Sequence, residues 1–226
     1  MAYPTVSAPY GLKPINLIGG QVFAGATRQI AIASSAGVGY NTNIFYGDVV
    51  KLASTGTIQV DTGSTTATPV GVFLGCQYVS AVTGQLTFSQ YYPASVTVKT
   101  GTDILAFVAD DPDQLFKAVL VTGTTVDDAT SGLLPVYLAR TVIGSNAQLV
   151  QNTGSTVTGD SKVGIYTAAG ATTTSSLPIR IIDVVPDTAN SSGSFCEVIV
   201  KWNAPYYDSV NTKLSGGHQY LNPTGV

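Results

Sequence analysis

The sequence predicts an all-β protein of antiparallel sandwich or barrel modules with extended N- and C-terminal arms. Three observations carry that expectation. Charged residues make up only 10% of the 226-residue chain, against about 25% in an ordinary globular protein. Thr, Ser and Gly number 29, 19 and 24, a composition that favours strands and tight turns, while the long charged side chains that support helices are scarce. Short apolar runs with period-2 alternation recur between Gly, Pro, Asp and Asn, and no window sustains a 3.6-residue pattern.

The elements follow in order. Residues 1–29 hold Pro4, Pro9 and Pro14, the aromatics Tyr3, Tyr10 and Phe23, and the pair Gly19-Gly20. Three fixed φ angles favour an extended path, so this stretch reads as an arm with at most one strand, near Ile15–Ile18. Residues 30–120 form a first β-module, with strands expected around "RQIAIAS", "NIFYGDVVKLAS", "GTIQVDTGST", "PVGVFLGCQYVS", "GQLTFSQYYP", "SVTVKT" and "DILAFVADDP". Within it, Gly75–Pro93 reads as a hairpin. Cys76 and Tyr78 alternate with Gln77 and Val79, Val82-Thr83-Gly84 turns the chain, and Leu86 and Phe88 alternate with Thr87 and Ser89. Pro93 ends the hairpin, and Tyr91 and Tyr92 point to opposite faces, one into the core and one toward a partner.

Residues 121–203 form a second module, read from "QLFKAVLVTG", "LLPVYLAR", "AQLVQNTGST", "DSKVGIYTA", "LPIRIIDVVP" and "SFCEVIVKWN". Residues 204–226 are a C-terminal arm in which Tyr206, Tyr207 and Tyr220 flank the flexible Ser215-Gly216-Gly217. Thr62-Gly63-Ser64-Thr65 before Val70-Gly71-Val72-Phe73 is echoed by Thr153-Gly154-Ser155-Thr156 before Val163-Gly164-Ile165-Tyr166. Duplication of one module and chance matching of Thr/Ser/Gly loops both account for the echo.

Charge narrows the partners. A net charge of −3 with ten scattered basic residues lacks the clustered Lys and Arg that displace counterions from nucleic acid. No segment approaches 18 uninterrupted apolar residues, so no membrane span is expected. The opening "MAYPTVSAPYGLKP" has neither a basic start nor an apolar run and reads as no secretion signal. Without one, Cys76 and Cys196 are expected as free thiols, with Cys196 sharing a core face with Val198, Val200 and Trp202.

Catalytic chemistry finds little material. The only histidine, His218, sits in "SGGHQY", a poor mount for a general base. "ADDPDQ" (Ala109–Gln114) gathers three carboxylates but lacks the spacing of a calcium loop and reads as a turn, as do Asp127 and Asp128. Zinc sites need more Cys and His than the chain has, and no glycine loop leads into Lys-Ser/Thr and a helix. Twelve Asp could supply a glycosidase-like pair, but nothing marks one. The expectation is no enzyme, cofactor or metal.

The aromatics remain. Tyr40, Tyr46, Tyr78, Tyr137 and Tyr166 fall in or beside strands and read as packing. Tyr3, Tyr10, Phe23, Tyr92, Tyr206, Tyr207 and Tyr220 are the candidate intersubunit contacts, since aromatics in irregular segments seek a surface. That surface is either another chain or the protein's own domain.

"YGLKPINLIGG", "ATRQIAIASS", "NIFYGDVVKL", "PVGVFLGCQY", "QYYPASV", "LPIRIIDVV" and "GSFCEVIVKWN" resemble structural virion proteins of tailed bacteriophages, especially phages of aquatic bacteria. The resemblance runs from about Tyr10 to Asn203. It implies a head decoration or cement protein, made in the host cytoplasm. Such a protein sits on the capsid surface and binds the major capsid protein and neighbouring copies of itself. The alternative is a tail or fibre-associated adhesin that binds host surface glycans, because exposed tyrosines on a neutral β-scaffold also suit sugars.

Overall fold

Val, Ile, Phe and Thr fill the runs between turns, and in the computed structural model those runs are strands. The structure describes residues 6–35, 37–121, 140, 142–166, 177–188 and 195–203, with the backbone of 205–207 and 213–215. In chain order the strands are β1 (Lys13–Leu17), β2 (Arg28–Ile32), β3 (Ser34–Ser35), β4 (Val38–Gly39), β5 (Val49–Leu52), β6 (Ile58–Val60), β7 (Gly71–Val79) and β8 (Leu86–Ser89). There follow β9 (Ile104–Ala109), β10 (Gln114–Val121), β11 (Asn146–Val150), β12 (Gly164–Tyr166), β13 (Ile179–Val184), β14 (Cys196–Trp202), β15 (Pro205–Tyr207) and β16 (Lys213–Ser215). No helix among the described residues is long and apolar enough to cross a membrane.

The all-β expectation holds, in the form of barrels. One sheet runs β5-β6-β2-β9-β7-β8 and closes through a β5–β7 pairing. The other runs β1-β10-β12-β11-β13-β14 and closes through β10–β14. Each is a five-stranded ring carrying one added strand, β8 on the first and β1 on the second. Most pairings are antiparallel, with β2–β6 and β10–β12 parallel.

The second ring repeats the first strand for strand. β2, β5, β6, β7 and β9 correspond to β10, β11, β12, β13 and β14, and the hydrogen-bond register corresponds with them. The ladder from Arg28↔Val108 to Ile32↔Ile104 matches that from Phe116↔Val200 to Leu120↔Cys196. Ile32↔Ile58 matches Leu120↔Ile165, and Val49↔Val72 matches Asn146↔Arg180. A register shift falls between Phe73 and Gly75 in β7 and between Ile181 and Asp183 in β13. The turns into β5 and β11 also match. Gly47, at φ 94°, donates to Phe73 O at 2.8 Å, and Gly144, at φ 83°, donates to Ile181 O at 2.8 Å. A side chain at either φ would be strained, which is why glycine recurs there. The Thr-Gly-Ser-Thr echo is not part of this repeat. Residues 62–65 follow β6, whereas 153–156 follow β11, the counterpart of β5.

Burial follows the alternation. Ile32, Phe73, Cys76, Ile104, Ala106 and Val108 fill the first barrel, and Leu120, Ile165, Ile181, Cys196, Val198 and Val200 fill the second. The barrels meet along an outward row of the first, Val49–Val72–Ala109, which packs with Leu12, Phe116 and Trp202 in one cluster. The counterpart row of the second barrel, Asn146–Arg180–Lys201, is polar. This seam is therefore not a surface that the second barrel repeats.

Two boundaries differ from the sequence reading. The strand read from "QLFKAVLVTG" at the head of the second module is β10, the first strand of the second barrel, so that barrel starts at Gln114 and not at residue 121. The N-terminal stretch is also part of the fold. Gly11 donates to Val163 O and Leu12 to Gly47 O, stitching both barrels, and β1 pairs with β10 through Lys13↔Lys117 and Pro14↔Phe116. Pro14 is tolerated because β1 is an edge strand.

Candidate functional site

Tyr10 precedes that stitch and lies on the outer face of the second barrel. Its hydroxyl donates to Glu197 Oε1 at 2.5 Å, and Glu197 also pairs with Lys117 Nζ at 3.0 Å. Lys13 Nζ sits 4.5 Å from the ring centroid, within cation–π range. Burial, with the Glu197 carboxylate beside it, pushes the Tyr10 phenol well above its ordinary value. Val6 and Tyr10 cover Val119, Val121, Val150 and Phe195, and Phe195 donates to Val6 O at 3.0 Å. Tyr10 thus takes the second of its two expected surfaces, its own domain.

Tyr92 leaves the set of surface contacts. It is 0% exposed, exchanges backbone hydrogen bonds with Ile44, and donates its hydroxyl to Tyr40 O at 3.0 Å. Tyr91 is the outward member of the pair, half-buried and stacked on Phe45 at 5.6 Å. Phe23 is half-buried and donates its amide to Ile15 O. Tyr3, Tyr220, Asp127, Asp128, Tyr137 and His218, and the side chains of Tyr206 and Tyr207, lie outside the described residues.

The Asp110–Asp113 run is the turn between β9 and β10. Asp111 accepts from the Asp113 amide at 2.8 Å. Asp110 pairs with Arg28 at 2.6 Å and Asp113 with Lys201 at 2.8 Å. Cys76 and Cys196 are buried and free, one in each barrel core. Burial pushes their thiols up to about 12 and about 11.

A cleft of about 260 Å³ opens between the barrels, lined by Thr42, Phe45, Asp48 and Thr62 from the first and Gln151 and Asn152 from the second. Gln151 Nε2 donates to Gly63 O at 3.0 Å, fixing one wall. Asp48 accepts from the Phe45 amide at 2.8 Å, and burial pushes its carboxyl up to about 6 against the bonds from Ser161 and Phe45. Nearby Asp61 accepts from the Gly63 and Thr68 amides. One carboxylate among hydroxyls and amides can hydrogen-bond a neutral polar ligand. Paired-carboxylate hydrolysis would need a second, free one at a set separation.

The other conspicuous surface is the β7–β8 hairpin. Cys76 and Tyr78 face the core, so the register Gln77↔Phe88 and Val79↔Leu86 turns Leu86 and Phe88 outward. They are 54% and 66% exposed, and Val82 at the turn is 89% exposed. The alternation of "LTFS" places Leu86 and Phe88 on one face, but only the partner strand's face reveals that this face is the outer one.

Among known proteins, no family model, no curated protein and no solved structure matches the chain.

Proposed function

We propose that this is a structural virion protein of a tailed bacteriophage, most simply a decoration or cement protein. In this reading it binds the outer surface of the major capsid protein lattice, beside neighbouring copies of itself, and stabilises the head. The observation that carries the reading is the exposed apolar hairpin, Val82, Leu86 and Phe88, on a doubled barrel scaffold. Exposed apolar side chains clustered in one hairpin favour docking to protein. The resemblance of the Tyr10–Asn203 stretch to virion structural proteins supplies the particular setting. Purified protein added to heads stripped of it should bind saturably and raise the temperature at which the heads open. Heads that neither bind it nor gain resistance would sink the reading.

The cleft favours a second reading, a tail or fibre-associated adhesin. Thr42, Gln151 and Asn152 offer hydrogen bonds to sugar hydroxyls, and Phe45 offers an aromatic surface. Glycan-array binding by the purified protein, abolished by Gln151→Ala, would move the assignment there.

A further inference from the structure

The polar groups of the cleft between the barrels are strongly one-sided. Asp48 lies in its wall, only 5% exposed. A carboxylate has about four acceptor positions, and Asp48 uses two of them, for the Phe45 amide and the Ser161 hydroxyl. Two side-chain amides of the second barrel add further acceptors. Gln151 turns its NH2 to Gly63 O at 3.0 Å, and Asn152 turns its own to Lys162 O at 3.4 Å. Both thereby leave a side-chain oxygen as an acceptor. Against these stands one fixed donor. Asn43 gives its oxygen to the Ala94 amide at 2.6 Å, so its NH2 is left to donate. No Lys, Arg or His is among the described residues that line the cleft, and Lys51, three residues along from Asp48, is paired with Asp61 at 3.8 Å.

The cleft is also built in advance. A Cβ at Gly154 would stand 2.4 Å from the Phe45 ring, so the second barrel's wall rests directly on the first barrel's. Tyr46 donates to Gly159 O at 3.0 Å and Ser161 to Tyr46 O at 2.9 Å, which holds the loop that carries this wall. Both Thr-Gly-Ser-Thr stretches reach the cleft, Thr62 from the first barrel and Thr153 with Gly154 from the second. The volume of about 260 Å³ falls below the range of about 300–1,000 Å³ of pockets for drug-sized ligands. A ligand of monosaccharide size or smaller suits it.

Complementarity selects the charge of that ligand. A buried carboxylate is unfavourable unless it is paired, and here the pairing charge has to arrive with the ligand. Calcium takes about six to eight oxygens, whereas a primary ammonium has only three hydrogens to place. We infer that the inter-barrel cleft binds a small ligand bearing a primary ammonium, seated against Asp48 and the side-chain oxygens of Gln151 and Asn152. The Asn43 NH2 is left for a ligand oxygen, which suits an amino sugar. The inference rests on the reading of the cleft as a sugar site and adds the charge that its ligand carries.

The test uses full-length protein titrated at pH 7 with glucosamine, N-acetylglucosamine and butylamine in a calorimeter, with the side-chain amides of ¹⁵N-labelled protein followed by NMR. Glucosamine should bind roughly tenfold or more tightly than N-acetylglucosamine, which has the same ring without the charge. The Asn43, Gln151 and Asn152 amide signals should shift with it. Butylamine binding as well would extend the site to small primary amines in general, and glucosamine binding alone would restrict it to amino sugars. Asp48→Asn, which keeps an oxygen for the Phe45 amide, should erase the preference. Thr62→Lys, at an exposed position on the rim, brings a competing ammonium and should weaken glucosamine binding by a similar factor. N-acetylglucosamine bound as tightly as glucosamine would overturn the inference and leave the sugar reading standing. Binding of neither sugar would overturn both. Shifts confined to other residues, or a glucosamine affinity unchanged by either variant, would also overturn it.

Discussion

The Tyr10 hydroxyl and the Glu197 carboxylate meet at 2.5 Å across 187 residues of chain, tying the N-terminal segment to the strand that closes the second barrel. A hydrogen bond to a charged acceptor is worth about 1.5–3 kcal/mol. Tyr10→Phe should therefore lower unfolding stability by about that amount in chemical denaturation. An unchanged midpoint would mean that the segment is not held by this bond.

The same pair sets an alkaline limit. Burial and the Glu197 carboxylate raise the Tyr10 phenol above its ordinary value, so the folded state keeps the proton longer than the unfolded chain does. The stability this confers is complete below about pH 10, the ordinary tyrosine value, and is lost as pH rises above it. Thermal melts from pH 8 to 11 should show the wild type losing its advantage over Tyr10→Phe at the top of that range. An advantage constant with pH would refute the assignment.

Asp48 works in the opposite pH range. Its carboxyl is pushed from 3.8 up to about 6 by burial, so the folded state binds a proton that the unfolded chain releases. That costs about 3 kcal/mol at pH 7, and the cost is relieved as pH falls from about 6 toward 4. Relative to Asp48→Asn, the wild type should gain stability on acidification across this window. A wild type that loses ground there would show Asp48 to be stabilised as the carboxylate.

Gly39 is held small by Tyr92. A Cβ at Gly39 would stand 2.0 Å from the Tyr92 hydroxyl oxygen and 3.1 Å from its ring carbon. Overpacking of this kind costs about 1–3 kcal/mol. Gly39→Ala should destabilise by that order, and Tyr92→Phe should recover part of the loss by removing the nearer atom. Additive losses in the double variant would contradict the packing.

Cys76 and Cys196 sit in separate barrel cores with their thiols pushed up by burial. Thiolate, the reactive form, is correspondingly rare. A thiol reagent should find two groups in denatured, unreduced protein and react far more slowly with native protein. Fewer than two in the denatured protein would reveal a disulfide.

Much of this fold was legible in the sequence, because strand alternation and Gly/Pro punctuation are local signals. The "FCEVIVKW" run placed Cys196, Val198 and Val200 on a core face, and the hairpin at Gly75–Pro93 emerged with its turn near Val82–Gly84. The repeat was not legible. Its offset drifts from 88 residues at Arg28/Phe116 to 108 at Phe73/Ile181 and back to 92 at Val108/Val200. Matched positions also keep burial rather than identity, as Phe73 and Ile181 do. The short Thr-Gly-Ser-Thr echo drew attention to loops that are not equivalent. The contact candidates fared unevenly for a related reason. Tyr92 is core and Tyr10 covers its own barrel, because an aromatic beside a proline signals a need for burial but not whose surface provides it.

The copy number per particle tests the central claim most directly. Mature virions, purified and quantified against the major capsid protein by isotope-dilution mass spectrometry, should contain hundreds of copies. That stoichiometry follows if each chain occupies a site repeated over the capsid lattice. About a dozen copies or fewer, the number that a single symmetric tail ring or vertex complex would hold, would contradict a decoration role.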